Sequence, residues 1–211
     1  MHGKVALITG SSRGIGFGIA KAFAREGATV ILTSRKIENL KSAAALLPGD
    51  HVCFPVHFGD TEAIDRLADF VGERYGRLDV LVNNFGWNPV HEPLADLSLD
   101  VFNKMLQYNL TNYWYTTKKL LPLIPQDSGS SIINISSHSG RKPFENFGAY
   151  CMVKSGIDMM TRVFAKELAQ KRINVNAIAP GYVDTDFNRL RTDLPEKNKL
   201  KEIIPNGVIA T

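Results

Sequence analysis

The sequence is poor in cysteine, carries no block of like charge and contains no apolar run long enough to cross a bilayer. Its two cysteines, Cys53 and Cys151, stand in no C-x-x-C pair and no Cys/His cluster, which argues against a disulfide framework and against a metal site. A reducing cytoplasm is the expected location. Lys and Arg number 25 against 21 Asp and Glu, a formal net charge of +4, but the basic residues are scattered rather than gathered with aromatics into a stripe. Nucleic acid is therefore not an expected partner. The N-terminus, Met1-His2-Gly3-Lys4, runs at once into an apolar strand, so neither a signal peptide nor membrane insertion is expected. With 211 residues, 44% of them hydrophobic, the chain suits one domain, 1–211, with a real core. No linker, repeat or low-complexity tract divides it.

What the sequence does have is alternation. Short β-branched runs alternate with longer segments of helical period: Val5 to Ile8 before a helix from Ile15 to Glu26, Thr29 to Leu32 before Ile37 to Leu47, and His51 to Val56 before Thr61 to Tyr75. The pattern continues with Val80 to Val82 before a long helix from about Leu99 to Leu121, then Ile132 to Ile135 before a helix from about Ala149 to Ala169, and a sixth strand at Ile173 to Ile178. Near-continuous apolar strands separated by helices predict an α/β fold, a doubly wound, Rossmann-like parallel sheet with helices on both faces.

The first strand is followed by Thr9-Gly10-Ser11-Ser12-Arg13-Gly14-Ile15-Gly16, a glycine-rich turn that opens a helix. Glycines let the backbone turn tightly against a pyrophosphate, and the free amides and dipole of a helix N-terminus favour its charge. The spacing is not the common G-x-G-x-x-G fingerprint. After the second strand stand Ser34 and Arg35 where an NAD-binding protein is expected to carry an acid for the ribose hydroxyls. A carboxylate there would repel a 2′-phosphate, whereas the guanidinium of Arg35, aided by Arg13, can form a forked pair with it. NADP(H) is therefore expected over NAD(H).

Tyr150 and Lys154 form a Y-x-x-x-K pair, one turn apart on one helix face. Tyr115 and Lys119 form a second such pair, so the spacing alone selects nothing. Context does, because Ser137 ends the fifth strand thirteen residues before Tyr150, and Tyr115 has no such serine. Free tyrosine, with a pKa of about 10, is a reluctant proton donor or acceptor near neutrality, and a neighbouring ammonium lowers that value. His138 beside Ser137 suggests a hydrolase pair, but no G-x-S-x-G elbow surrounds the serine.

In order, the T-G-x-x-x-G-x-G turn, Asn83-Asn84-Phe85-Gly86, Asn109, Ser137, Tyr150 with Lys154, and Pro180-Gly181-Tyr182-Val183-Asp184-Thr185 resemble the classical short-chain dehydrogenase/reductase family, from Lys4 to about Asn188. The resemblance implies a ketone/secondary-alcohol oxidoreductase with a small-molecule substrate, catalytic Asn109, Ser137, Tyr150 and Lys154, and a homo-dimer or homo-tetramer. It implies cofactor contacts from Gly10, Ser12, Arg13, Gly14, Ile15, Gly16, Ser34, Arg35, Asn84, Gly86, Tyr150, Lys154, Pro180, Gly181, Val183 and Thr185. Asn109 matches the asparagine whose backbone bends the family's fourth helix and seats a water. Two positions depart from the pattern: Phe85 stands where the family has alanine, although N-N-F-G occurs in some bacterial hydroxysteroid dehydrogenases of the family, and His57 stands where an aspartate often faces adenine. Trp87, His91, Phe144, Phe147, Tyr182 and Phe187 are expected around the substrate, for which the candidate classes are a hydroxysteroid, a xenobiotic carbonyl and a 3-oxoacyl compound. Ser128 tells mildly against the last. The competing reading is a cofactor-binding or regulatory protein without turnover. Family members continue past the position of Thr211 through a helix and a last strand, so residues 184–211 are expected to be a partial substrate-side segment and the sixth strand to present an open edge.

Overall fold

The computed structural model describes residues 1–185 and 197–211. Six strands, β1 (Val5–Thr9), β2 (Thr29–Ser34), β3 (Val52–Pro55), β4 (Val80–Asn83), β5 (Ser131–Ile135) and β6 (Asn174–Ile178), form one sheet in the order β3-β2-β1-β4-β5-β6. Every pair is parallel, with Val5 beside Thr29 and Ala6 beside Val80 in the central register.

Alternation along β1 explains why two layers of helix are needed. Successive side chains of a strand point to opposite faces. Val5 and Leu7 enter a core with Ile64, Leu67 and Val71 of α3 (Thr61–Tyr75), Leu120 of α5 (Asn112–Leu120) and Leu168 of α6 (Gly148–Leu168). Ala6 and Ile8 enter another with Ala20 and Ala24 of α1 (Gly14–Arg25) and Leu40 and Ala43 of α2 (Ile37–Ala44). A strand apolar on both sides is stable only between two such layers. The sheet is thus covered on both faces, as the pattern of the strands predicts.

Two helices differ from the periodicity. The segment from Ile37 leaves α-geometry after Ala44, where Leu46 and Leu47 donate to the carbonyls three residues back, because Pro48 disfavours α-helical backbone at the residue before it. The segment from Leu99 is not continuous: α4 (Leu99–Leu106) passes through a π-helical turn, Gln107–Thr111, before α5. Asn109 lies in that turn, and its side-chain Nδ2 donates to the Met105 carbonyl at 3.0 Å. A one-residue insertion of this kind shifts the helix face without ending it. The last described helix is α7 (Lys197–Ile203). No helix among the described residues is long and apolar enough to cross a membrane.

One buried carboxylate ties the front of the sheet. Asp79, 1% exposed, accepts from Val5 N at 2.9 Å and Lys4 Nζ at 3.1 Å and pairs with Arg77. Burial alone would raise its pKa, but the bonds from Arg77, Val5 and Lys4 outweigh burial and hold it below the usual carboxylate range. The stabilisation is therefore present above the unfolded value of about 3.9 and is lost as pH falls through the lower folded value. Asp79→Ala is expected to cost about 2–3 kcal/mol at pH 7, because it leaves a buried N–H unpaired. Urea midpoints should show that gap and show it narrowing below about pH 4.

The order of the strands reverses between β1 and β4, and outside the carboxyl ends of the strands at such a point a parallel sheet opens a crevice. A cleft of about 430 Å³ lies there.

Candidate active site

The turn after β1 is shaped by contacts that leave no room for side chains. Gly10 has φ of +66°, and a Cβ on Gly16 would lie 2.4 Å from the Gly10 carbonyl oxygen and 2.5 Å from Asn84 Nδ2. Asn84 holds the turn from β4, donating through Nδ2 to the carbonyls of Thr9 at 2.8 Å and Gly10 at 3.1 Å, while Thr9 Oγ1 accepts from the amides of Asn84 and Phe85. α1 then starts without a capping side chain and without an acid in its first turn. Its amides and dipole suit a phosphate anion at the wall of the cleft formed by Gly10, Ser12, Arg13, Gly14 and Ile15. Gly16 is buried behind that wall and does not line it.

Ser34, Arg35 and Lys36 line the same cleft from the end of β2. Together with Arg13 they put three cationic side chains, and no acid among the described residues, at one corner. Val56, Phe58 and Phe85 line the cleft as well, and the Phe58 and Phe85 rings stack at 5.3 Å. The bulk of Phe85 is thus absorbed by an aromatic neighbour. His57 does not line the cleft; its Nδ1 accepts from Gly59 N at 3.3 Å and its ring sits edge-on to Tyr108.

At the other end β5 delivers Ser136 and Ser137 into a tight turn, His138–Gly140, that packs on α6. Ser137 Oγ accepts from Ser139 N at 3.1 Å, which leaves its own proton for another acceptor. Ser136 Oγ donates to the Lys154 carbonyl, Ser155 Oγ to the Gly140 carbonyl, and Arg141 pairs with Asp158, so turn and helix are fixed to each other. Tyr150 and Lys154 follow on α6, with Lys154 Nζ 5.6 Å from the Tyr150 ring centre. Lys154 is 2% exposed and donates to the Ile135 carbonyl at 2.8 Å.

Burial pushes the Lys154 pKa down to about 7, the nearby Asp158 carboxylate partly opposing the shift. An unfolded lysine titrates near 10.4, so between those values the unfolded chain binds the extra proton and stability rises with pH. Below about pH 7 the buried ammonium weakens the fold. Lys154→Met is therefore expected to stabilise the protein at pH 7 by about 1–4 kcal/mol and to flatten the rise in melting temperature between pH 7 and 10. Thermal melts at a series of pH values check both.

Asn109 does not line the cleft. Its Nδ2 donates to the Trp87 carbonyl at 2.7 Å and its Oδ1 accepts from Trp87 N at 2.8 Å, so the π-turn grips the loop that follows β4. Gly86, Pro180, Gly181, Val183 and Thr185 all line the cleft, and Thr185 packs within 3.4 Å of where a Gly14 Cβ would stand. That rim is held by parallel pairing of Val183 with Ala210. Of the aromatics expected near a substrate, Phe147 and Tyr182 line the cleft, while Trp87, His91 and Phe144 stand behind its walls, His91 stacked on Phe147 at 4.5 Å. Phe187 lies outside the described residues.

The second Y-x-x-x-K pair has a different occupation. Tyr115 OH donates to Asp65 at 2.9 Å and Lys119 Nζ pairs with the same carboxylate at 2.9 Å, joining α5 to α3 away from the cleft. His138 is equally committed: Nδ1 lies 3.2 Å from the Pro180 carbonyl and so carries a proton, and the ring packs on Phe144 and Tyr182. Cys151 is half-buried beside the Lys142 carbonyl. Among the described residues no group of three or more His, Cys, Asp or Glu could hold a metal ion. Sequence reading missed Lys36, Asn39, Val56, Phe58 and Ser139 in the cleft wall and Tyr113 beneath it. Lys36 adjoins Arg35 and was legible as a second base; the others carry no local signal.

A profile of the family described as short chain dehydrogenase matches residues 4–195. Dehydrogenase/reductase SDR family member 4 of Pongo abelii is 35% identical over 205 residues, spanning 95% of this chain and 74% of that protein. Among solved structures, the Pseudomonas aeruginosa RhlG/NADP active-site complex superposes with a TM-score of 0.92 at 32% identity, covering 100% of this chain and 85% of that one. A short-chain dehydrogenase of Shigella flexneri 2a strain 301, complexed with NADP, gives 0.85 at 30% identity, with 93% of this chain and 84% of that one covered.

Proposed function

The chain belongs to the short chain dehydrogenase family, an oxidoreductase family, and on that basis we propose that it interconverts a ketone and a secondary alcohol with NADP(H), using Tyr150 as general acid and base. One observation carries the reading: a single cleft has the uncapped start of α1 with Arg13 and Arg35 at one end and Ser137, Tyr150 and Lys154 at the other. The solved relatives complexed with NADP support the choice of cofactor.

The residues present fit a dinucleotide phosphate. The close Gly10–Gly16 approach lets the turn fold tightly behind the wall of Gly10, Ser12, Arg13, Gly14 and Ile15, which fits a phosphate at the start of α1, and the cations at the end of β2 complement a 2′-phosphate. NADPH, when bound, supplies the hydride to the carbonyl carbon. Ser137, its oxygen already accepting from Ser139 N, donates its hydroxyl proton to the substrate oxygen and holds it beside Tyr150. Tyr150 gives its phenolic proton to that oxygen during reduction and takes it back during oxidation. Lys154, as an ammonium, stabilises the tyrosinate left behind and, as a residue of the cleft wall, would help hold the nicotinamide ribose of a bound cofactor. Asn109 fixes the loop from Gly86 to Asn88 through both bonds to Trp87, keeping the wall of the cleft in place.

Phe147 and Tyr182 make the substrate side apolar and aromatic, which suits a hydroxysteroid or a xenobiotic ketone better than a charged acyl thioester. A cytoplasmic homo-dimer or homo-tetramer belongs to the same reading, with exposed Trp114 of α5 and Met159 and Val163 of α6 as apolar contact surface. Absorbance of NADPH followed over a panel of ketones tests the function. Consumption with at least one ketone is the expected result; tight binding of NADPH with no ketone turned over would instead assign a cofactor-binding protein without turnover.

A further inference from the structure

The Ile135 carbonyl, at the end of β5, accepts two bonds: from Lys154 Nζ at 2.8 Å and from the hydroxyl of Tyr113 at 3.1 Å. Tyr113 stands on α5, 2% exposed, one helical turn beyond Asn109, and its ring centre lies 5.5 Å from Lys154 Nζ. The Tyr150 ring centre lies 5.6 Å away, so the buried ammonium sits between two aromatic rings. We propose that Tyr113 is a positioning residue for Lys154: its ring sustains the lysine's positive charge, and its hydroxyl pins that ring to the carbonyl on which the lysine rests.

The surroundings leave this task to few groups. From its own helix Lys154 faces Tyr150 and Asp158, and the Asp158 carboxylate is shared with Arg141 at 3.4 Å. From β5 it meets the Ile135 carbonyl, followed by Ser136, whose hydroxyl donates to the lysine's own backbone. From α5 comes Tyr113, whose own ionisation is pushed well above the ordinary range by burial and then by the charge of Tyr150, so it stays a neutral phenol and a hydrogen-bond donor. A ring face attracts a desolvated cation more strongly than an exposed one. With burial drawing Lys154 to about 7 against the partial opposition of the Asp158 carboxylate, a further attraction from the ring adds to the share of the lysine that is charged at neutrality. Only the charged form stabilises the tyrosinate, and in that respect the inference rests on the function proposed above.

The deciding readout needs no substrate. Protein labelled with carbon-13 at lysine Cε is titrated by NMR, and the Lys154 signal is identified by its loss in Lys154→Met. Tyr113→Phe keeps the ring and is expected to titrate close to wild type. Tyr113→Leu, and pentafluorophenylalanine at position 113, which keeps the shape but inverts the ring's charge distribution, should lower the midpoint by roughly one pH unit. Should leucine fail to fold, the fluorinated ring still decides. The rate of secondary-alcohol oxidation should move with it, its acid limb shifting to higher pH with kcat reduced and KM little changed. A fluorinated protein that titrates at the wild-type midpoint would overturn the inference, as would a phenylalanine variant shifted as far as the fluorinated one. Neither result would touch the proposed function, which fails only if wild type turns over no ketone.

Discussion

Tyr150→Phe will lower turnover by roughly 10²–10⁴-fold, the usual contribution of a positioned general acid, while leaving the fold and NADPH binding intact. The ring that stays behind keeps its edge-on contact with Phe147 at 6.0 Å, so little packing is lost with the hydroxyl. Lys154 remains on the Ile135 carbonyl and Ser137 remains fixed through Ser139. What is gone is the hydroxyl that carries the proton. Tyr115→Phe is the matched control, because its hydroxyl serves Asp65, which retains Lys119 as partner. Its turnover should stay near wild type. Steady-state rates of the two variants side by side check the assignment, and equal losses would show that the wrong tyrosine has been chosen.

The second large effect concerns the cofactor. A hydrogen bond to a charged group contributes about 1.5–3 kcal/mol, so Arg35 facing a 2′-phosphate should favour NADP over NAD by on the order of tenfold to a hundredfold. Arg13 and Lys36 line the same corner, so Arg35→Ala alone should remove only part of the preference. Ser34→Asp combined with Arg35→Ala adds a carboxylate that can accept from ribose hydroxyls and repels phosphate. The preference should then shrink or reverse, with activity on NAD retained. Titration of both cofactors against wild type and the double variant decides: equal affinity of wild type for the two, or an unchanged preference in the variant, would reduce Arg35 to a solvated helix-end residue.

The sheet was legible because its signal is local and repeated. β1 needs apolar side chains on both faces, and Val5 to Ile8 has them without interruption. The turn after it was legible because glycine is demanded by contact, as the Gly16 approach to Gly10 makes plain. The helix from Leu99 was not fully legible: the π-turn leaves no mark in the period, and only the resemblance at Asn109 pointed to a bend. Tyr113 was invisible for a related reason. Its importance comes from meeting Ile135 and Lys154, which stand 22 and 41 positions further along the chain, and no spacing rule joins three elements at one carbonyl. Conversely, the two Y-x-x-x-K pairs look alike in sequence and part only in what surrounds them, Asp65 for one and the cleft for the other.

The central claim is that this cleft moves a hydride between NADP(H) and a carbonyl carbon. NADPH carrying deuterium at both C4 positions, supplied to the wild-type protein with a ketone it accepts, tests that most directly. The alcohol formed should carry one deuterium on the carbinol carbon, as read by mass spectrometry and NMR, and Tyr150→Phe should form almost none of it. An alcohol without deuterium at that carbon, or deuterated alcohol formed equally well by Tyr150→Phe, would contradict the account.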